Sequence, residues 1–143
     1  GCLDTDKYST DTHPFYGGVC RPHLAVDAAE PLPFRSGSFG LVLANHLVEH
    51  LPGSDADVVR ILREWLRVLI GGRDGDSSGG ILAVVVPDQT HGDVLRMDKD
   101  HKHAWTSTGF RERIVEPLLD QAELLEFATF DNFFSFNAVL RKR

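Results

Sequence analysis

The segment His46-Leu47-Val48-Glu49-His50 sets two imidazoles four positions apart, with a carboxylate beside the second. On a helix that spacing puts both rings on one face, where they can share a metal ion while the glutamate serves as a base. The same letters match the inverted signature of zinc hydrolases. Pro52-Gly53 follows at once, so a helix here is barely one turn long, and the sequence places no third ligand beside the pair. His101 and His103 flank Lys102 near Trp105 and read as surface side chains, with a metal or substrate contact as the alternative. The other groups able to do chemistry are acids and amides: Asp4 and Asp6, Asp27, Asn45 with His46, and Asp88. A carboxylate can accept hydrogen bonds from two hydroxyls at once. Asp27 can equally cap the amides of its own turn.

These residues need elements to hold them. Residues 2–4 form a short apolar run ending in acid, the end of a strand. Residues 5–22 are rich in Thr, Ser, Asp, Gly and Pro and read as loop. A short strand over 23–26 closes at Asp27, and the prolines at 31 and 33 forbid regular structure after it. Residues 39–44 are nearly all apolar, as suits a strand covered on both faces. Ser54 or Asp55 caps a helix whose apolar positions are Val58, Ile61, Leu62, Trp65, Leu66 and Leu69. The glycine-rich stretch 71–80 ends it as a surface loop, and 81–86 is a second buried strand. Thr106 or Ser107 caps a helix to about Glu116, and 124–130 with 134–140 form a hairpin across Asp131-Asn132. Phe127, Phe130, Phe133, Phe134 and Phe136 read as packing for the core and this hairpin.

Strand, helix, strand, helix and hairpin describe one α/β domain over residues 1–143, with helices on the faces of its sheet. The helical crossover makes the strands at 39 and 81 parallel neighbours. Sheets of this kind bind ligands beyond the carboxyl ends of their strands, where the acids and amides above fall. A formal net charge of -6 gives no broad attraction to nucleic acid. No apolar run approaches the roughly 20 residues of a membrane span, and no secretory leader is visible. Cys2 and Cys20 are expected as free thiols in a reducing, cytoplasmic setting.

Five segments, in order, resemble the class I S-adenosylmethionine-dependent methyltransferases, the small methyltransferase-11-like members in particular. They are Asp27 to Phe34 with Ser38-Phe39-Gly40-Leu41-Val42, then Asn45 to Leu51, then Arg63 to Leu69 with Gly79-Gly80-Ile81-Leu82, then Pro87-Asp88 with His101 to Thr106, and finally Phe134 to Asn137. The resemblance implies a partial Rossmann-like sheet closed by an antiparallel hairpin. It implies S-adenosylmethionine as cofactor and a small molecule or protein as methyl acceptor. Asp4 and Asp6 would accept from the ribose hydroxyls, Asp27 from the adenine amino group, and the Ala28 amide would face the ring. Asn45 and His46 would lie beside the methionine and the reacting methyl group, with His46 or His50 as the base for an acceptor that must lose a proton.

Three departures from the family pattern stand out. Gly40 replaces the usual acid, the turn before Gly79 carries an insertion, and no Gly-x-Gly turn precedes Cys2. The last leaves two expectations: a fragment of a longer domain, or a sheet rearranged so that residues 2–4 take its centre. An exposed sheet edge would also favour a homo-oligomer. Two rival functions remain at this point, a non-catalytic binding module on a degenerate methyltransferase fold, and the zinc hydrolase suggested by His46, Glu49 and His50.

Overall fold

The computed structural model describes residues 5–6, 23–72, 78–129 and 134–143. The chain divides into two compact units, Gly1–Pro33 and Phe34–Arg143. In the smaller, β1 (Thr5–Asp6) and β2 (Leu24–Ala25) pair in parallel, Thr5 opposite Leu24 and Asp6 opposite Ala25. The loop reading of 5–22 therefore fails at Thr5 and Asp6, which form a short strand of their own. The cysteines, Asp4 and the rest of that loop lie outside the described residues.

The larger unit is built on β3 (Leu41–Asn45), α1 (Asp55–Val68), β4 (Ile81–Pro87), β5 (Ala122–Thr129) and β6 (Ser135–Lys142). One-turn α2 (Val94–Met97) and α3 (Ser107–Phe110) lie between β4 and β5. The strand order is β3-β4-β6-β5, with β3 parallel to β4 and β6 antiparallel to both its neighbours. The parallel pair is the one that the helical crossover demands. The hairpin of β5 and β6 forms as expected, and β6, not β5, takes the place beside β4. A register shift between Leu124 and Glu126 bends the outer strand. The helix expected to reach Glu116 runs as α3 into a π-helical turn, Arg111–Val115, and a 3-10 turn, Glu116–Leu118. Pro117 in that last turn cannot donate to a regular ladder.

Helix α1 owes its start to Ser54. The Ser54 amide donates to Asp57 Oδ2 at 2.8 Å while the Asp57 amide donates back to Ser54 Oγ at 3.4 Å. The Ser54 amide first, and second the Ser54 hydroxyl donating to the same Oδ2 at 2.7 Å, hold the Asp57 carboxyl below its ordinary range. Val58, Ile61, Leu62, Trp65 and Leu66 are all buried, one stripe at helical spacing. On β4 the alternate residues Leu82, Val84 and Val86 are buried and Ile81, Ala83 and Val85 are half-buried. Strand β3 alternates too, and Leu41 and Leu43 are 57% and 64% exposed. The expectation of a strand covered on both faces holds for β4 and not for β3, which is the edge of the four-stranded sheet.

At the other end of α1, Lys142 Nζ donates to the carbonyls of Leu69 at 2.8 Å and Arg67 at 3.2 Å, satisfying helix-end acceptors. Burial, and secondarily the nearby Arg67, lower the Lys142 pKa. Gly79 and Gly80 let three chain segments converge here. A Cβ on Gly79 would overlap the Lys142 carbonyl oxygen, and one on Gly80 would stand 3.0 Å from that of Phe39. Gly40, by contrast, has open space around it, so its departure from the family acid is sterically free. Gly79→Ala should thus cost roughly 1–3 kcal/mol by overpacking, and Gly40→Ala less than about 0.5, as read from thermal unfolding by circular dichroism.

Candidate functional site

The parallel ladder ends where Asn45 meets Val85, and the His46 amide donates one more bond to the Val85 carbonyl at 3.0 Å. His46 then takes φ 51, the one left-handed non-glycine residue described. Such a conformation costs on the order of 1–3 kcal/mol and persists where surroundings impose it. It turns the chain out of β3 and into the single 3-10 turn Val48–His50. That turn buries Val48 and, unusually, Glu49.

Glu49 is the hub. Its carbonyl accepts from the amides of Lys102 at 2.8 Å and His103 at 3.1 Å, docking the segment that follows α2 onto the end of β3. Its carboxylate is fully buried, and neither oxygen has a hydrogen-bond partner among the described residues. Imidazoles surround it. His46 Nδ1 stands 3.3 Å from Oε1 and His101 Nε2 3.9 Å, at ion-pair rather than hydrogen-bond geometry. The His50 and His101 rings meet edge to face at 4.6 Å. On its far side, His46 Nε2 lies 3.3 Å from Ser135 Oγ at the start of β6. With the Nδ1 proton turned toward Glu49, Nε2 accepts from that hydroxyl.

His101 and His103 are anchored rather than loose on the surface, which corrects the sequence reading. Their side chains are only 10% and 9% exposed. His101 Nδ1 donates to the Val94 carbonyl at 2.6 Å and His103 Nε2 to that of Leu51 at 2.9 Å. His103 stacks on Trp105 with centroids 4.6 Å apart. Trp105 Nε1 donates to Asp55 Oδ1 at 3.0 Å, and Arg113 holds Asp55 Oδ2 at 2.9 Å. Asp55, in the first turn of α1, thus tethers the docked segment. Asp88, 3% exposed, accepts from the amide and hydroxyl of Thr90 at 2.9 and 2.8 Å and shapes the turn after β4.

Of the residues singled out from sequence, Asn45 and His46 lie at the end of β3, with Asn45 exposed. Asp6 is on β1, and Asp4 lies outside the described residues. Asp27 Oδ1 accepts from the Ala29 amide at 3.0 Å and its carbonyl from Glu30 at 3.2 Å, with Ala28 inside that turn. The local capping role of Asp27 is therefore present. What sequence reasoning missed is the meeting of Glu49 with His101 and of His46 with Ser135, contacts across long stretches of chain that no local spacing encodes.

This α/β arrangement is the fold of the class I S-adenosylmethionine-dependent methyltransferases, as solved structures show. The chain matches the complex between the Haloferax volcanii Trm112 methyltransferase activator and a candidate methyltransferase, with TM-score 0.62, 15% identity, and coverage of 83% of this chain and 60% of that one. An S-adenosylmethionine-dependent methyltransferase of Thermotoga maritima gives TM-score 0.59 at 14% identity, covering 84% and 63%. An O-methyltransferase of neocarzinostatin biosynthesis, solved with S-adenosylmethionine and a naphthoic acid, gives 0.52 at 13%, covering 84% and 33%. Residues 8–73 match the family described as "Methyltransferase domain". The chain spans about 60% of the length of the first of these structures, and no curated protein matches it.

If Asp55 is the tether, Asp55→Ala strands a buried indole N–H and should cost about 1–3 kcal/mol. Asp55→Asn, which keeps an acceptor for Trp105, should recover part of that loss. Equal stability of the two variants in urea unfolding would show that the indole bond contributes nothing.

Proposed function

We infer that the chain belongs to an enzyme transferring the methyl group of S-adenosylmethionine to an acceptor nucleophile. One observation carries the reading within the larger unit: the parallel β3–β4 ladder ends in an exposed Asn45 and a left-handed His46, where α/β sheets receive ligands. The methyltransferase-domain match over residues 8–73 supports the chemistry. On this reading the Asn45 and His46 backbone meets the methionine end of the cofactor. Asp27 with the Ala28 amide meets the adenine, and Asp4 or Asp6 meets the ribose.

Methyl transfer to a good nucleophile needs alignment and exclusion of water more than acid or base. An acceptor that must lose a proton needs a base, and His46 is the residue built for it. Glu49 stands behind its Nδ1, and Nε2 bonds a hydroxyl that an acceptor hydroxyl or amine can replace. The acceptor is a small molecule or a protein side chain, in keeping with the acidic balance of the chain.

Calorimetric titration with S-adenosylmethionine tests the cofactor. Saturable one-to-one binding is expected, weakened about tenfold or more by Asp27→Ala or Asn45→Ala, a loss of roughly 1.4 kcal/mol, and unchanged by Lys99→Ala at an exposed site. Absence of saturable heat at millimolar cofactor would favour the non-catalytic binding module instead. Once an acceptor is found, His46→Gln should lower turnover about 100-fold or more while leaving cofactor affinity nearly unchanged.

A further inference from the structure

The Glu49 carboxylate makes no hydrogen bond among the described residues that would account for its burial. It is fully buried, and both oxygens lack a hydrogen-bond partner among the described residues. A carboxyl group in that condition is among the most unfavourable for a protein to bury ionised, and coordination to a cation is one of the usual remedies, beside an ion pair and a bound proton. The nearest imidazole nitrogens stand at ion-pair distance, 3.3 and 3.9 Å, and neither makes a hydrogen bond to it.

We propose that Glu49, His50 and His101 bind one divalent transition-metal cation of the zinc and cobalt type. One donor atom from each lies within 4.8 Å of the other two. Bonds of about 2.0–2.2 Å to a shared ion require closer spacing, so the three side chains close in on the ion as it binds. His101 is set up as a ligand. Its Nδ1 donates to the Val94 carbonyl at 2.6 Å, which fixes the tautomer and leaves the Nε2 lone pair facing the carboxylate. A backbone carbonyl behind a ligating imidazole is the usual outer partner of such sites. Two imidazoles and one carboxylate suit zinc, cobalt or iron better than magnesium or calcium, which favour all-oxygen sets. Three protein donors also leave a coordination position open for a water or another oxygen ligand.

The site stands independently of the methyl-transfer reading, because it needs no cofactor to form. The test uses the whole chain, stripped with a chelator and titrated with Co2+ in the absence of S-adenosylmethionine. One equivalent should generate visible d–d absorption, and Zn2+ should displace it. Glu49→Gln and His50→Ala should each weaken Co2+ binding at least tenfold, with folding verified by circular dichroism, and His101→Ala should do the same if it folds. His91→Ala, at an exposed imidazole, should leave affinity unchanged. Failure of the folded wild-type chain to take up one equivalent would overturn the proposal, as would wild-type affinity in both Glu49→Gln and His50→Ala. Either result leaves cofactor binding untouched, so the two readings fail separately.

Discussion

Two amides on one carbonyl hold the working end of the larger unit together. Lys102 and His103 both donate to the backbone oxygen of Glu49, and that pair fixes a segment of irregular chain against the turn leaving β3. Irregular backbone near a core must find partners for each donor and acceptor. Here the partners come from a turn that itself has few internal bonds to offer. The Trp105 bond to Asp55 and the His103 bond to the Leu51 carbonyl then complete the dock from α1 and its approach. Without this dock, His101 would have no reason to face Glu49, and the strand end would be a bare turn.

The dock depends in turn on the sheet. β3 and β4 are parallel because α1 must return the chain to the same edge, so both strands deliver their carboxyl ends to one side. β6 reverses direction beside β4, so the residue starting β6, Ser135, arrives at that same side opposite Pro87. An antiparallel last strand therefore brings its amino end, not its carboxyl end, to the site. That inversion explains why a serine from the end of the sequence meets a histidine from its middle. At the opposite end of the sheet, Gly79 and Gly80 let the start of β4 lie close against the Lys142 and Phe39 carbonyls.

Most of the elements were legible because their signals are local. The Ser54 cap, the stripe from Val58 to Leu66, and the β-branched run at β4 each declare themselves within a few residues. So did the parallel pairing, which follows from chain reversal through a helix. The order of the hairpin strands beside β4 was not legible, because either strand of a hairpin satisfies the same pattern. The exposed face of β3 was not either: Leu41 and Leu43 read as core because composition reports apolarity and not coverage. At the site, Asn45 and His46 were found by placement at a strand end. His101 was read as a surface side chain because its neighbours are polar, and only the fold shows it 10% exposed and bonded to Val94. Glu49 was noticed for its spacing to two histidines, yet its burial could not be inferred from a turn flanked by Pro52.

Glu49 serves two purposes through separate atoms. Its peptide carbonyl organises the dock, and its side chain places a buried carboxyl group beside His46, His50 and His101. A fold of this type specifies where a ligand sits and leaves the chemistry to the side chains that line the strand ends. The strained His46 backbone fits the same logic: conformational energy is tolerated at the one position that must both leave the strand and turn a ring toward Glu49.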